Sequence, residues 1–230
     1  LVTRWRARTR AALVATPSNP TGTMISREEL THLNDAVRVR AGAMIVDEIY
    51  QGLTYGREPT TAAALGEDVF VINSFSKYFQ MTGWRIGWAL VPPAYVRAVE
   101  TLAQNLFISP STPAQYAAIA AFKPETIAIV EERRRELQKR RDFLVPALES
   151  AGFRVPVMPD GAFYVYANST ALDTDSYALA QRVLQQCHVA VTPGKDFGLA
   201  APERHIRFAY TQPVERLEEA VHRIRTQLRR

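Results

Sequence analysis

The residue in this sequence that most clearly could take part in catalysis is Lys77. It lies between two apolar runs, residues 69–72 and 86–91. These runs predict two strands buried in a sheet, with Lys77 in the loop that joins them. A lysine amine attacks carbonyl carbons once desolvation or a nearby cation favours its neutral form. Three polar side chains lie close to it in the sequence: Ser74, Ser76 and Arg85. The pattern is consistent with a Schiff-base lysine, although an exposed loop lysine is the commoner interpretation of a Ser-Lys pair.

Two earlier apolar runs also end in polar residues. Residues 11–15 indicate a buried strand, followed by a turn rich in proline and glycine that contains Asn19. Residues 43–46 indicate a second strand, with Asp47 and Tyr50 directly after it. A helical pattern separates the two strands, and this order implies a parallel crossover. Because open α/β sheets bind ligands at the carboxyl ends of their strands, we expect these side chains to converge with the lysine.

Helical patterns fill the middle of the chain. Ser26 and Glu29 form a capping box that predicts a helix to about Arg40. Three more helices are expected: residues 94–105, residues 112–122 and a long helix from Pro124 onward. We interpret the dense charge run of the long helix as a solvated face. Pro146 predicts a kink or a break in that helix.

After Gly152 the pattern changes to a smaller α+β unit. Two strands, residues 153–157 and 162–167, are expected to form a hairpin. Four elements should follow: a helix at 175–186, a strand at 189–191, a strand at 205–210 and a helix from Pro213 to the C-terminus. We therefore predict two domains, residues 1–124 as the C-terminal portion of a large domain and residues 125–230 as an interdomain helix with a small C-terminal domain.

Composition narrows the class of protein. With 230 residues, 47% of them hydrophobic, the chain can form one large globular domain or two small ones. Arginine clusters dominate the net charge of +5, but no recognition helix stands out, so we expect no nucleic-acid partner. Cys187 is the single cysteine and no apolar run reaches membrane-spanning length, which favours a cytoplasmic protein with no membrane partner. The histidines show no metal-ligand spacing, so no metal is expected.

Four motifs follow one another along the chain: Ser18–Gly22, Asp47–Tyr50, Ser74–Phe79 and Gly83–Gly87. Together with Arg207 near the C-terminus, they resemble the class I/II aminotransferases, which are aspartate aminotransferase-like, fold type I enzymes dependent on pyridoxal phosphate. The resemblance covers essentially the whole chain. It implies an α/β fold, with part of a mostly parallel three-layer αβα large domain plus a smaller α+β C-terminal domain. It also implies transfer of an amino group between an L-amino acid and a 2-oxo acid by a homodimer.

The resemblance assigns a role to each candidate residue. Lys77 would form a Schiff base with pyridoxal 5'-phosphate and then move the proton of the substrate Cα. Asp47 would keep the pyridine nitrogen protonated, which makes the ring an electron sink. Asn19 and Tyr50 would hydrogen-bond the phenolic oxygen O3′. The implied phosphate ligands are Ser74, Ser76 and Arg85, and the implied substrate-binding residues are Asn19 and Arg207, with the arginine on the α-carboxylate.

Several alternatives stay open. A pyridoxal-phosphate-dependent C–S lyase, a carboxylate-cyclising synthase or another fold type I enzyme would use the same Lys77, Asp47 and Arg85. An aminotransferase-like effector domain of a transcription regulator would share the fold, and an inactive fragment without cofactor would share the motifs. The family enzymes also have more elements ahead of the Asn19 turn. We therefore expect a truncated product or a partial gene model that lacks half of the cofactor cup.

Overall fold

The computed structural model describes residues 2–228, which pack as two compact units. The first unit contains Met24–Arg134 and the described residues up to Ser18. The second contains Arg135–Arg230 as far as it is described, together with the short segment Asn19–Thr23. The change from one unit to the other falls inside a long helix, and the domain boundary at residue 124 stays a prediction.

The first unit is built on a four-stranded sheet in the order β1-β2-β3-β4. Its strands are β1 (Ala11–Ala15), β2 (Ala43–Asp47), β3 (Val69–Ser74) and β4 (Gly87–Leu90). The first three are parallel, as predicted, and β4 is antiparallel to β3. The carboxyl ends of β1, β2 and β3 therefore lie along one edge of the sheet, which is where the sequence placed the candidate residues.

One face of this sheet is covered and forms a core. Met44, Val46, Val69 and Val71 are almost fully buried there. Helix α1 (Arg27–Arg38) contributes apolar side chains to the same core. The predicted capping box is confirmed, because Ser26 Oγ accepts from the Glu29 amide at 3.2 Å and Glu29 Oε2 accepts from the Ser26 amide at 2.8 Å.

The prediction that both strands beside Lys77 are buried is wrong for the second one. All four residues of β4 are exposed, and Leu90 keeps 47% of its surface. The reason is its position, because β4 lies at the edge of the sheet and, among residues 2–228, no strand pairs with its outer side. An apolar run therefore identified the strand but not its surroundings.

Three helices follow the sheet. They are α2 (Val96–Leu106), α3 (Thr112–Ala121) and α4 (Pro124–Ser150). Helix α4 continues through Pro146, so the expected break is absent. Part of its charge run is also not a solvated face, since Arg141 is only 8% exposed. The Nη1 of Arg141 donates to the Pro159 carbonyl at 2.8 Å.

The second unit has a three-stranded antiparallel sheet in the order β5-β7-β6. Its elements are β5 (Tyr164–Asn168), α5 (Ser176–Cys187), β6 (Thr192–Pro193), β7 (His205–Ala209) and α6 (Val214–Gln227). The predicted α+β composition is confirmed. The closing helix was expected to reach the C-terminus, and residues 229–230 lie outside the described residues.

Two strand predictions in this unit are wrong. The expected hairpin is reduced to one bridge between Arg154 and Asn168. Pro156 and Pro159 have no backbone N–H to donate, so the segment between them cannot complete a ladder. The strand expected at residues 189–191 lies further along the chain, at Thr192–Pro193. In the described part of the chain, no helix is long and apolar enough to cross a membrane.

Candidate functional site

The register of the first sheet brings Asp47 and Ser74 to the same face at its carboxyl edge. Asp47 is the last residue of β2 and pairs with Ile72 of β3, so these two side chains point to the same side. Ser74 lies two residues beyond Ile72 and returns to that side. Asp47 Oδ1 accepts the Ile49 amide at 2.9 Å, as in a turn cap.

Lys77 lies in the turn that follows β3. The amide of Gln80 donates to the Lys77 carbonyl at 3.1 Å, which closes the turn. Lys77 is half-buried, and its Nζ lies 5.8 Å from the centre of the Tyr50 ring. Tyr50 is 5% exposed. The structure thus brings together the amine and the phenol that follow β3 and β2.

Ser74 and Ser76 form a hydroxyl pair. Their Oγ atoms lie 2.9 Å apart, and the Ser76 amide donates to Ser74 Oγ at 3.0 Å. Ser74 Oγ also donates to the Ile86 carbonyl at 3.2 Å. Because Ile86 follows Arg85 in the chain, this bond connects the hydroxyl pair to the segment that contains Arg85. Arg85 is exposed, has a left-handed backbone (φ 51°), and donates through Nη1 to the Thr82 carbonyl at 2.9 Å.

A close approach of the backbone next to this pair requires a glycine. A Cβ on Gly87 would lie 2.6 Å from the Asn73 carbonyl oxygen and 3.2 Å from Ser74 Cα. Any other residue at this position would push β4 away from β3. The spacing between the Ser74 strand end and the Arg85 segment therefore depends on Gly87.

Glu48 follows Asp47 in the chain but points into the interior. It is 3% exposed and accepts from the Ala62 amide at 2.6 Å and from the Thr61 hydroxyl at 2.9 Å. Burial raises the pKa of this carboxyl above its usual range, and the two hydrogen bonds only partly oppose that effect. Glu48 is therefore a structural acid that fixes the residue 61–62 segment.

Arg207 is held by two hydrogen bonds and two aromatic rings in the second unit. Its Nη1 donates to Asn19 Oδ1 at 2.8 Å and its Nη2 to Thr192 Oγ1 at 3.2 Å. The guanidinium lies between two aromatic rings, with its central carbon 4.2 Å from the centre of Tyr164 and 4.7 Å from that of Phe197. The Nε atom is buried and has no hydrogen-bond partner within residues 2–228. One donor is thus oriented and unpaired.

The Asn19 turn is fixed within the same unit. The amide of Gly161 donates to the Gly22 carbonyl at 2.8 Å. Gly22 has φ +68°, and a Cβ there would lie 2.6 Å from Pro159 Cβ, so this close contact also requires glycine. Arg141 in turn holds the Pro159 carbonyl. The turn that carries Asn19 is therefore anchored from α4 through the residue 159–161 loop.

The predicted site residues divide between the two units. The first unit contains six of them: Asp47, Tyr50, Ser74, Ser76, Lys77 and Arg85. The second contains Asn19 with Arg207.

Sequence reasoning missed the residues around Arg207, namely Thr192, Tyr164 and Phe197. Thr192 lies opposite Arg207 in the β6–β7 register, and no local pattern indicates which strands pair. Among residues 2–228, no cluster of His, Cys, Asp or Glu has the arrangement of a metal site.

Comparison with known proteins gives consistent matches. A sequence model of the family described as aminotransferase class I and II matches residues 4–224. The valine–pyruvate aminotransferase of Mycobacterium tuberculosis is 40% identical over 220 residues, covering 94% of this chain and 56% of the relative. The aspartate aminotransferase of Bacillus subtilis is 34% identical over 230 residues, covering 95% of this chain and 57% of the relative. The chain therefore spans a little more than half the length of these relatives.

Solved structures agree with the sequence matches. The crystal structure of an aminotransferase from Mycobacterium tuberculosis superposes with a TM-score of 0.92 at 37% identity, covering 99% of this chain and 59% of the other. Aspartate aminotransferase from Thermus thermophilus with maleate gives a TM-score of 0.90 at 33% identity, covering 97% and 58%. These likenesses confirm the predicted fold class.

Proposed function

Because this chain belongs to the aminotransferase class I and II family, we propose that its protein moves amino groups between L-amino acids and 2-oxo acids, using pyridoxal 5'-phosphate. The observation that carries the proposal is the edge of the first sheet, where Lys77 follows β3 beside a paired Ser74–Ser76 hydroxyl cluster. An amine and a phosphate-binding cluster on one loop match the two ends of that cofactor. We further propose that the protein acts as a homodimer. A cytoplasmic location stays a prediction from the sequence.

The donor set of the first unit fits this cofactor. A primary amine suits an aldehyde, a carboxylate acceptor suits a pyridinium N–H, and hydroxyls with a guanidinium suit a phosphate. These groups are Lys77, Asp47, the Ser74–Ser76 pair and Arg85. When bound, pyridoxal phosphate supplies an aldehyde that reacts with amines and a ring that withdraws electrons from the substrate Cα.

Lys77 has two tasks in this proposal. Its Nζ holds the cofactor and later accepts the proton of the substrate Cα as a general base. Tyr50, whose ring lies 5.8 Å from that nitrogen, orients the phenolic side of the cofactor. Asp47 Oδ2 would accept a hydrogen bond from the protonated ring nitrogen of the cofactor, while Oδ1 stays bonded to the Ile49 amide and fixes the carboxylate.

Arg207 and Asn19 bind the substrate α-carboxylate in this proposal. The rings of Tyr164 and Phe197 fix the plane of the guanidinium, so its donors point in a set direction before any ligand arrives. Nη1 and Nη2 each carry a second hydrogen beyond their bonds to Asn19 and Thr192, and these hydrogens are the donors that we assign to a carboxylate. Because Asn19 Oδ1 accepts a hydrogen bond from Arg207, Asn19 Nδ2 is the group that donates to the cofactor and the substrate.

Absorbance spectroscopy with added pyridoxal phosphate tests the proposal. Once free cofactor has been removed by gel filtration, we expect the wild-type chain to keep a visible or near-ultraviolet band that Lys77→Ala abolishes, since the tethering amine is gone. Lys139→Ala, which removes an exposed lysine of α4, is the matched control and should keep the band. A band that persists in Lys77→Ala would place the tether on another residue and contradict the proposal.

A further inference from the structure

Tyr78, the neighbour of Lys77, packs tightly on the loop that follows β2. Gly52 in that loop has φ +93°, and a Cβ on it would lie 2.7 Å from the Tyr78 ring. A side chain at position 52 would therefore displace the ring. The backbone at Gly52, two residues after Tyr50, therefore lies directly against Tyr78, the residue that follows Lys77.

The Tyr78 hydroxyl reaches helix α4. It donates to Glu131 Oε1 at 2.6 Å, and Glu131 Oε2 accepts from Arg134 Nε at 2.9 Å. Arg134 Nη1 then donates to the Thr54 carbonyl at 3.0 Å, and Thr54 is 8% exposed. A single turn of α4 thus holds the loop of Lys77 through Glu131 and the loop of Tyr50 through Arg134.

The chemistry of these contacts favours a fixed geometry. Burial, and then the bond to the Glu131 carboxylate and its charge, raise the pKa of Tyr78, so the phenol stays protonated and remains a donor. Hydrogen bonds to a charged acceptor are shorter and stronger than those between neutral groups. The guanidinium of Arg134 uses two of its donors in divergent directions, which links the carboxylate to the backbone.

We propose that Tyr78, Glu131 and Arg134 are positioning residues for Lys77, which hold its loop and the Tyr50 loop at a set separation. The inference rests on the proposed role of Lys77. A lysine amine is carried on a flexible chain of four carbons, so its location depends on how firmly the backbone below it is held. Loops at strand ends have no ladder of their own, and α4 supplies the missing support.

Hydrogen exchange in the 230-residue chain tests the positioning independently of any cofactor. The variants are Tyr78→Phe, which keeps the ring on Gly52, and Glu131→Gln. The amides to follow are those of Gln80 and Met81, which close the Lys77 turn, with the amide of Leu30 in α1 as a reference. We expect about tenfold faster exchange of the two turn amides and no change at Leu30. Unchanged turn amides, or equal acceleration at all three positions, would overturn the proposal.

Matched controls and a double variant sharpen the result. Tyr177→Phe removes a hydroxyl from an exposed tyrosine of α5, and Glu219→Gln breaks a surface pair with Arg223. Neither should change the turn amides. The double variant Tyr78→Phe/Glu131→Gln should match Glu131→Gln alone, because replacing Glu131 already removes the charged acceptor of the Tyr78 hydroxyl. Additive acceleration would show two separate effects and contradict a shared contact.

Borohydride trapping with pyridoxal phosphate separates this inference from the proposed function. The rate of trapping at Lys77, measured by peptide mapping, should fall several-fold in Tyr78→Phe and Glu131→Gln. An unchanged rate would contradict the positioning role. If the wild-type chain traps nothing at Lys77, the proposed function fails, whereas the exchange of Gln80 and Met81 still decides whether the three residues hold the loop.

Discussion

The two sheets of this chain each bury one face, and they differ in the side chains that the other face carries. In the second unit, Ile206 on the central strand is fully buried and Phe208 is 6% exposed. In the first unit, Met44 and Val71 are buried on one face, but Leu13 and Ile72 on the other face are 67% and 43% exposed. Parallel sheets normally bury both faces. Asp47 and Ser74 thus lie on a sheet that residues 2–228 cover on one side only.

The difference shows that the candidate residues of the two units lie in different surroundings. In the second sheet, Arg207 lies on the face opposite Ile206 and Phe208 and is held there by the rings of Tyr164 and Phe197, whereas Asp47 and Ser74 extend from a face with exposed apolar side chains. Relatives of this chain, of which it spans little more than half, contain additional residues. Three stability measurements test whether the two sheets differ in this way.

The largest effect is expected from truncating matched isoleucines in the two sheets. Ile206→Ala should lower the free energy of unfolding by about 2–5 kcal/mol, because it leaves a cavity in a closed core. Ile72→Ala should lower it by about 1 kcal/mol or less, since much of that side chain is already in water. Urea denaturation of the 230-residue chain measures both. Equal losses would mean that Ile72 is covered in solution and that the comparison is wrong.

A pH-dependent effect is expected from Glu48 on the covered face of the first sheet. Burial raises its folded pKa above the unfolded value, so the folded state binds the proton more tightly. The stabilisation is therefore present below the unfolded pKa of about 4.5 and is lost as pH rises through the folded pKa. Glu48→Gln should remove this loss, so the variant gains stability relative to wild type between pH 4 and neutral pH.

Glu29 is the matched control for this titration. The bond from the Ser26 amide, followed by that with the Ser26 side chain, lowers the pKa of the exposed Glu29 carboxyl. Its contribution is therefore present above the unfolded pKa and is lost as pH falls through the folded pKa. Glu29→Gln should show the opposite sign to Glu48→Gln when the free energy of unfolding is measured against pH. The same sign for both would refute the assignment of Glu48 to a dry interior.

The smallest effects should be the same in both units. Ser26 caps α1 in the first unit, and Asp175 caps α5 in the second by accepting the Tyr177 amide at 2.9 Å. Replacing either by alanine should cost about 1 kcal/mol in the free energy of unfolding, because capping is local to a helix. Glycine at either position should cost only a few tenths of a kcal/mol. A much larger loss at one cap would mean that the units also differ in their local structure.

Local features of the fold could be predicted from the sequence. The capping box at Ser26 and the parallel order of the first three strands were predicted correctly, because both depend on residues that are close in the chain. The hairpin at residues 153–167 was not, since two prolines remove the donors that a ladder requires. The exposure of β4 was missed as well, because burial depends on what packs against a strand rather than on its own composition.

We could predict the family, the order of the motifs and the position of Lys77 after a strand from the amino-acid sequence, because these are properties of neighbouring residues. The surroundings of Arg207 form only on folding, since its bond to Asn19 joins residues 188 positions apart. Folding also packs Asn19–Thr23 with the second unit, although this segment follows β1 in the chain. The physical reason is that local patterns specify helices and strands, whereas contacts between distant segments depend on how those elements pack.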